Sequence, residues 1–465
     1  MSFLIVLAAL VFLMLVAYRG YSVILFAPIA AMGAALLTDP RLVAPMFTGL
    51  FMDKMAGFLK LYFPVFLLGA VFGKVIELSG FSKSIAASVI EFVGAERAIL
   101  SIVIVCAVLT YGGVSLFVVV FAVYPFAAEV FKRSNIPKRL IPATIALGAF
   151  SFTMDALPGT PQIQNLIPTG FFKTTIYAAP WLGILGALFI LIVGLAYLDW
   201  CRRRALRAGE GYGVAPLNEP EPFDHVRLPH PLIALLPLIL VGVFNKLFTL
   251  AIPEFYGPSI SFIPAVAGET VPVVQDVAKV AAIWAVEGAL LLGILSVLVL
   301  AWNPVASRFA EGSRSAVSGA LLASMNTASE YGFGAVIAAL PGFLVIADAL
   351  KFITDPLLHE AMTITTLSGI TGSASGGLSI ALAALSDTFM QNAAAANIPL
   401  EVCHRIASMA SGGMDTLPHN GAVITLLAVT GLTHRQAYRD IFAITLIKTL
   451  AVAVVIVIFR LTGIV

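Results

Sequence analysis

The stretches MDALPGTPQIQN at 154–165 and MDTLPHNG at 414–421 decide the fold. Each sets an acid, Asp155 or Asp415, beside proline and polar residues in otherwise apolar surroundings. Proline removes an intrahelical hydrogen bond and clashes with the preceding turn, so a helix entering either stretch must unwind at Pro158 or Pro418. Unwound backbone at membrane depth is tolerated only where it lines a cavity enclosed by protein. An ionisable residue there marks an ion or substrate path by default. The alternative for each Asp is a carboxylate that caps the helix at the break, and the two roles are compatible.

The surroundings are those of a membrane protein. The 465 residues are 60% hydrophobic and 11% charged, with a mean hydropathy of +1.00. A soluble domain needs charge on about a quarter of its residues, so lipid must be the solvent for most of this surface. Apolar runs at 2–18, 21–37, 180–198, 231–251, 278–301 and 441–459 are long enough to span. They lack the period-two alternation of a barrel, which leaves helices. The first run has neither a basic flank nor a small-residue cleavage pattern and reads as a retained helix. Cys106, Cys201 and Cys403 have no metal-ligand spacing. No cofactor is expected, and no basic run interleaved with aromatics suggests nucleic acid.

Four short matches recur in the same order along the chain: GAVFGKV at 69–75 with GAVIAAL at 334–340, GGVS at 112–115 with GGLS at 376–379, Asn-Ile-Pro at 135–137 with 397–399, and MDALP with MDTLP. Collinear matches of this kind indicate duplication. Charge orients the copies. Lys132, Arg133, Lys138 and Arg139 put the first Asn-Ile-Pro in the cytoplasm, together with the polar loop 201–230 that carries Arg202, Arg203, Arg204 and Arg207. The second Asn-Ile-Pro, with Glu401 and only Arg405 near it, suits the outside, as does the acidic 252–276 loop. The copies therefore face opposite ways, an arrangement that lets two halves exchange conformations around a shared site.

The expected architecture is all-α: scaffold helices over 1–60, a first inverted repeat over 61–177, linking scaffold helices over 178–319, a second repeat over 320–440 and a C-terminal helix over 441–465. Each repeat holds a re-entrant helical hairpin and a broken helix. The hairpins are read as 98–111 and 114–131 about Gly112-Gly113, and 361–374 and 378–394 about Gly376-Gly377, with the second tip running over 372–377. Small residues at such tips either line a site or serve helix packing. Asp155 and Asp415 are the candidates for proton or ion coupling. His419 either binds a substrate carboxylate, relays a proton or is structural. Glu330 reads as a carboxylate reaching the cytoplasmic interface or as a second proton carrier. Lys74 and Glu77 read as an ion pair within one helix. No intramembrane arginine is evident, so a bound anion would be held by helix N-termini, hydroxyls and amides.

GAVFGKVIELSG at 69–80, GSASGG at 372–377 and MASGGMDTLPHNGAVITLLAVTGLTHRQAYRDIF at 409–442 resemble the gluconate permease (GntP) family, nearest its hydroxybutyrate-permease-like branch. The resemblance runs from about Phe63 to Val465. It implies an elevator-type, proton-coupled symporter of hydroxy or sugar acids, a homodimer in the bacterial inner membrane. Its substrate site would draw on Gly112, Gly113, Ser115, Thr160, Ser373, Ser375, Gly376, Gly377, Thr416, His419 and Asn420, with Asp155 and Asp415 beside them. MDALPGTP stands where gluconate-type members carry a His-Pro-rich stretch, which favours a smaller hydroxy acid. Na⁺ coupling is the rival within the class. An intramembrane aspartyl protease is the rival outside it, against which Met precedes each Asp and no Gly-x-Gly-Asp motif occurs.

Overall fold

A computed structural model describes residues 2–19, 21–94, 97–114, 116–213, 219, 228–263, 272–343, 353–418 and 420–465. Ser115 and His419, both expected at the site, lie outside the described residues. The longer helices of the first half are α1 (Ser2–Tyr18), α2 (Val23–Thr38), α3 (Met52–Leu78), α4 (Phe81–Val93), α5 (Ala98–Tyr111), α6 (Leu116–Arg133), α7 (Ile141–Ala149), α8 (Ile163–Phe172) and α9 (Pro180–Arg207). The second half supplies α10 (Pro231–Tyr256), α11 (Val277–Leu300), α12 (Phe309–Ala339), α13 (Pro356–Thr371), α14 (Ala374–Ala395), α15 (Leu400–Ser411), α16 (Gly421–Thr430) and α17 (His434–Thr462). Among the described residues, five helical stretches, Pro40–Leu78, α9, α10, α11 and α17, are long and apolar enough to cross a membrane. The acidic loop after α10 contains one departure from all-α structure, an antiparallel ribbon of β1 (Ser259–Phe262) and β2 (Val273–Asp276).

The same order of elements appears twice. A long helix, α3 or α12, precedes a hairpin, α5–α6 or α13–α14. A broken helix follows, α7–α8 or α15–α16, and then a long span, α9 or α17. The packing repeats as well. The long helices α3 and α12 lie against each other, α9 lies against α17, α8 touches α14, and α16 touches α6. Lys74 and Glu77 form the expected pair within α3, at 3.0 Å.

The duplication is sharpest at the turn between hairpin and broken helix. Asn135 and Asn397 both adopt left-handed backbone, at φ 50° and 52°. The next amide in each copy, of Ile136 or Ile398, closes the preceding helix on Phe131 O or Ala393 O, at 2.8 Å in both cases. This is the closure a residue in the left-handed region supplies at a helix end. Pro137 and Pro399, in matching extended conformations, then start the broken helices.

The second hairpin differs from its sequence reading. The chain turns at Gly372, φ 65°, and Ser373, so Gly376 and Gly377 fall inside the first turn of α14 instead of forming the tip. Ser373 causes the shift: its hydroxyl accepts the Gly376 amide at 3.0 Å and caps α14 early. In the first hairpin Gly112 and Gly113, the latter at φ 94°, do lie at the turn after α5.

The exposed Asn397 gives a test of this geometry. Asn397→Val should lower stability by about 1–2 kcal/mol, the cost of left-handed backbone at a side chain with a branched Cβ, and Asn397→Gly should leave it unchanged. Thermal unfolding in detergent reads both.

Candidate functional site

The broken helices part where the prolines require. In the first, α7 ends at Ala149, one turn spans Phe152–Asp155, and the chain is unwound through Pro158 until α8 begins at Ile163. In the second, α15 ends at Ser411 and α16 starts at Gly421. Every carbonyl released in an apolar interior needs a donor, and following those donors builds the site.

Arg405 carries much of this work for the first break. It is fully buried (0% exposed). Its Nε and Nη2 donate to Ala178 O at 3.1 and 2.8 Å, and Nη1 donates to Asp155 O at 3.2 Å and Asn165 Oδ1 at 2.9 Å. Ser408 Oγ adds a second bond to Asp155 O at 2.8 Å. His404 Nε2 also meets Asn165 Oδ1, an acceptor, so its other nitrogen, Nδ1, is left to accept the Thr174 hydroxyl at 2.6 Å. Asn165 Nδ2 closes the set on Thr160 O and Ile176 O, both at 2.9 Å. Tyr111 OH donates to Pro158 O at 2.9 Å. This overturns the sequence reading of Arg405 as an outer-surface charge, and with it the expectation that no arginine lies in the interior. The positive charge is placed there by the carbonyls that need it.

The second break is held mainly by one face of α17. His434 donates to Pro418 O at 2.9 Å, Tyr438 OH to Thr416 O at 3.2 Å, and Thr445 Oγ1 meets Thr416 Oγ1 at 2.5 Å. Lys448, 2% exposed, forms a buried ion pair with Asp415 and donates to Phe150 O of the first break at 3.0 Å. Lys448 thus joins the two breaks.

Asp155 is the unsatisfied member. It is 1% exposed, and neither carboxylate oxygen has a hydrogen-bond partner among the described residues. It lies against the backbone of Gly412, where a Cβ would strike it. The two repeat-related aspartates are therefore unlike: Asp415 pairs directly with Lys448, whereas the Asp155 carboxylate feels Lys448 and Arg405 without a hydrogen bond to either among the described residues. Neither side chain caps its helix.

The hairpin tips reach the breaks through matching amides. Gln162, at the start of α8, donates to Thr110 O at 2.8 Å, and Asn420, at the start of α16, donates to Gly372 O at 2.7 Å. The tips themselves are lined differently. Gly112 and Gly113 pack against Leu238, Leu290, Pro161 and Phe72. The second tip faces polar residues of α12: Ser375 Oγ meets Thr327 Oγ1 at 3.2 Å, and Gly376 lies under the Glu330 carboxylate, which is also beside Ser373. Glu330 is buried at 3% exposure and its Oε2 has no partner among the described residues, so it does not reach an interface. Thr160 is buried with its hydroxyl unpartnered among the same residues.

Of the residues expected at the site, Asp155, Thr160, Asp415, Thr416 and Asn420 gather around the breaks. Ser373 lies at the second tip, and Ser375, Gly376 and Gly377 lie in the first turn of α14 beside it, with Gly377 backed by Ser368. Gly112 and Gly113 lie in apolar packing. Sequence reasoning missed Lys448, His404 and Asn165 and misplaced Arg405. Lys448 is the single charge in the run 441–459, a signal that could have found it. A cavity of about 280 Å³ between α1 and α2, lined by Ile5, Phe12 and Leu37, is apolar and apart from the breaks.

A membrane protein of two similar halves, whose interrupted helices meet around buried charges, is by class a transporter. The chain is 59% identical over 474 residues, covering both proteins completely, to the uncharacterized transporter YxjC of Bacillus subtilis (strain 168), and it belongs to that transporter family. No family model matches it. Its fold is shared, at 15% identity and a TM-score of 0.54 over 91% of this chain and 85% of the other, with Neisseria gonorrhoeae MtrF, described with a class of antimetabolite efflux pumps. It is shared equally, at 14% identity and a TM-score of 0.50 over 92% and 90%, with the Alcanivorax borkumensis YdaH transporter, described as having an unusual topology. These relatives are transporters, and the protease reading is set aside.

The central ion pair is testable by stability. Lys448→Met alone leaves Asp415 buried and uncompensated and should cost about 3–5 kcal/mol. Adding Asp415→Asn should recover a large part of that loss in thermal unfolding of the double variant.

Proposed function

We propose that the protein is a secondary active transporter, a proton symporter that imports a small hydroxy-monocarboxylate such as 3-hydroxybutyrate or a gluconate-like acid across the bacterial inner membrane. The observation that carries the proposal is the unpartnered carboxylate of Asp155 between two unwound segments. An acid at that depth marks an ion path, and one with no direct ion pair among the described residues is free to exchange its proton as the site opens.

The position of the site supports the same reading, with α17 as a ruler. Near one end Asp440 binds Arg139, at the base of the first hairpin, at 2.7 Å. Near the other, Arg460 binds Asp355, at the base of the second, at 2.6 Å. The twenty-residue step from Asp440 to Arg460 spans about 30 Å, the thickness of the hydrocarbon layer. The hairpins thus enter from opposite ends, as inverted repeats would, and Lys448 marks a depth near the middle. Inverted halves with a midplane site fit alternating access, and the GntP-like motifs favour an elevator-type homodimer.

Sodium coupling is the weaker alternative. The backbone oxygens of Asp155, Phe150 and Thr160 at the first break already accept from Arg405, Lys448 and Asn165, so a Na⁺ there would draw on the Asp155 carboxylate and the Thr160 hydroxyl.

Counterflow in liposomes against a panel of hydroxy and sugar acids, with pH and Na⁺ varied independently, tests the proposal. Uptake should follow an inward proton gradient and collapse with an uncoupler. Asp155→Asn should retain exchange while losing gradient-driven accumulation by about tenfold or more, the scale of removing a group that acts in proton transfer. Na⁺-driven uptake that survives the uncoupler would overturn proton coupling.

A further inference from the structure

Lys246 is the single charge between residues 231 and 253. It sits on α10, a candidate membrane span, fifteen residues after Pro231 and ten before Tyr256. Those separations place it about 22 Å from one helix end and 15 Å from the other. Its side chain is exposed. A lysine facing lipid at such depth is costly unless it snorkels to the nearer interface, which here would be along α10 toward Tyr256. Its Nζ lies over the ring of Tyr177, 4.4 Å from the centroid, a contact that holds an ammonium electrostatically.

Tyr177 belongs to the first break. Its ring abuts Gly159, where a Cβ would strike both it and the Tyr111 hydroxyl, and Tyr111 in turn donates to Pro158 O. The break is open on this side: Tyr111 is 39% exposed, and Pro158 and Gln162 are half-buried. Unwound backbone with open surface at membrane depth is tolerated beside water or protein and not beside lipid. An ammonium held by Tyr177 at the rim of the open break fits the same arrangement, an aqueous vestibule between α10 and the first break.

We infer that Lys246, steadied by Tyr177, is the entry site at which the carboxylate of the transported organic anion is first captured before it passes to the breaks. The inference rests on the organic-anion reading above and deepens it. The anion is received by an ammonium that has no carboxylate partner among the described ion pairs, whereas Lys448 is already committed to Asp415.

The test uses the full-length protein in liposomes, with Cys106, Cys201 and Cys403, all buried, replaced by alanine. Lys246→Cys should react with a membrane-impermeant anionic methanethiosulfonate. Leu291→Cys, an exposed apolar position in the middle of α11, is the comparison on another helix and should not. Substrate anions should slow the reaction at 246. In the unmodified background, Lys246→Gln should raise the KM for uptake about ten- to a hundredfold, the scale of losing one charge-assisted hydrogen bond, and Lys246→Arg should keep it near the parent value. Failure of position 246 to label, or equal labelling of both positions, would overturn the vestibule. Labelling that no anion slows, with unchanged KM in Lys246→Gln, would overturn the capture role. Protection by an anion outside the hydroxy-acid class would overturn the substrate assigned above and leave the entry site standing.

Discussion

Carbonyl groups freed from a helix inside hydrocarbon must find donors, and this requirement organises the centre of the molecule. Two cations of the second half provide them for the first. Arg405 reaches from α15 to Asp155 and Ala178, and Lys448 reaches from α17 to Phe150. Burying a guanidinium or ammonium is expensive unless its protons are matched, and open carbonyls are expensive unless accepted. Each cost is met by the other, so the first break is complete only when the second half is folded against it. The reverse dependence is weaker, because α17 supplies most donors to the second break from within its own half.

This interlock explains why duplicated sequences have become unlike chemically while remaining alike in backbone. The left-handed asparagines, the prolines that follow them and the amides that tie each hairpin to its break are shared features of scaffolding. The charges are not shared. Among the described residues Asp415 has a hydrogen-bonded partner and Asp155 has none, and none of those in the first half matches the role of Arg405. Copies that meet at one centre cannot both supply the cation, and division of roles follows from that geometry.

Much of the scaffold was legible in the sequence because it depends on local chemistry. Pro158 and Pro418 cannot continue a helix, and Asn-Ile-Pro closes one and starts another by the same hydrogen bonds wherever it occurs. The second hairpin turn was misplaced because glycine pairs were read as turns by composition, whereas a capping serine fixed the start of α14, and Gly376 is instead the small residue that the Glu330 carboxylate requires. The candidate site was only half legible. Asp155 and Asp415 stand out beside proline. Arg405 was assigned to the surface because charges near a turn are read as flanks. Lys448 and Lys246 disappear into hydropathy averages, where one ammonium among twenty apolar residues barely changes the mean. Their partners are distant in sequence, and no local pattern announces them.

The two hairpin ends differ in how readily they could admit water. Parting the first would bare Leu238, Leu290 and Phe72, and apolar surface of that size resists wetting. Parting the second would release hydroxyls and a carboxyl group that can exchange their contacts for bonds to water at little net cost. The duplicated hairpins thus differ in the surface their separation would expose, apolar at the first and polar at the second.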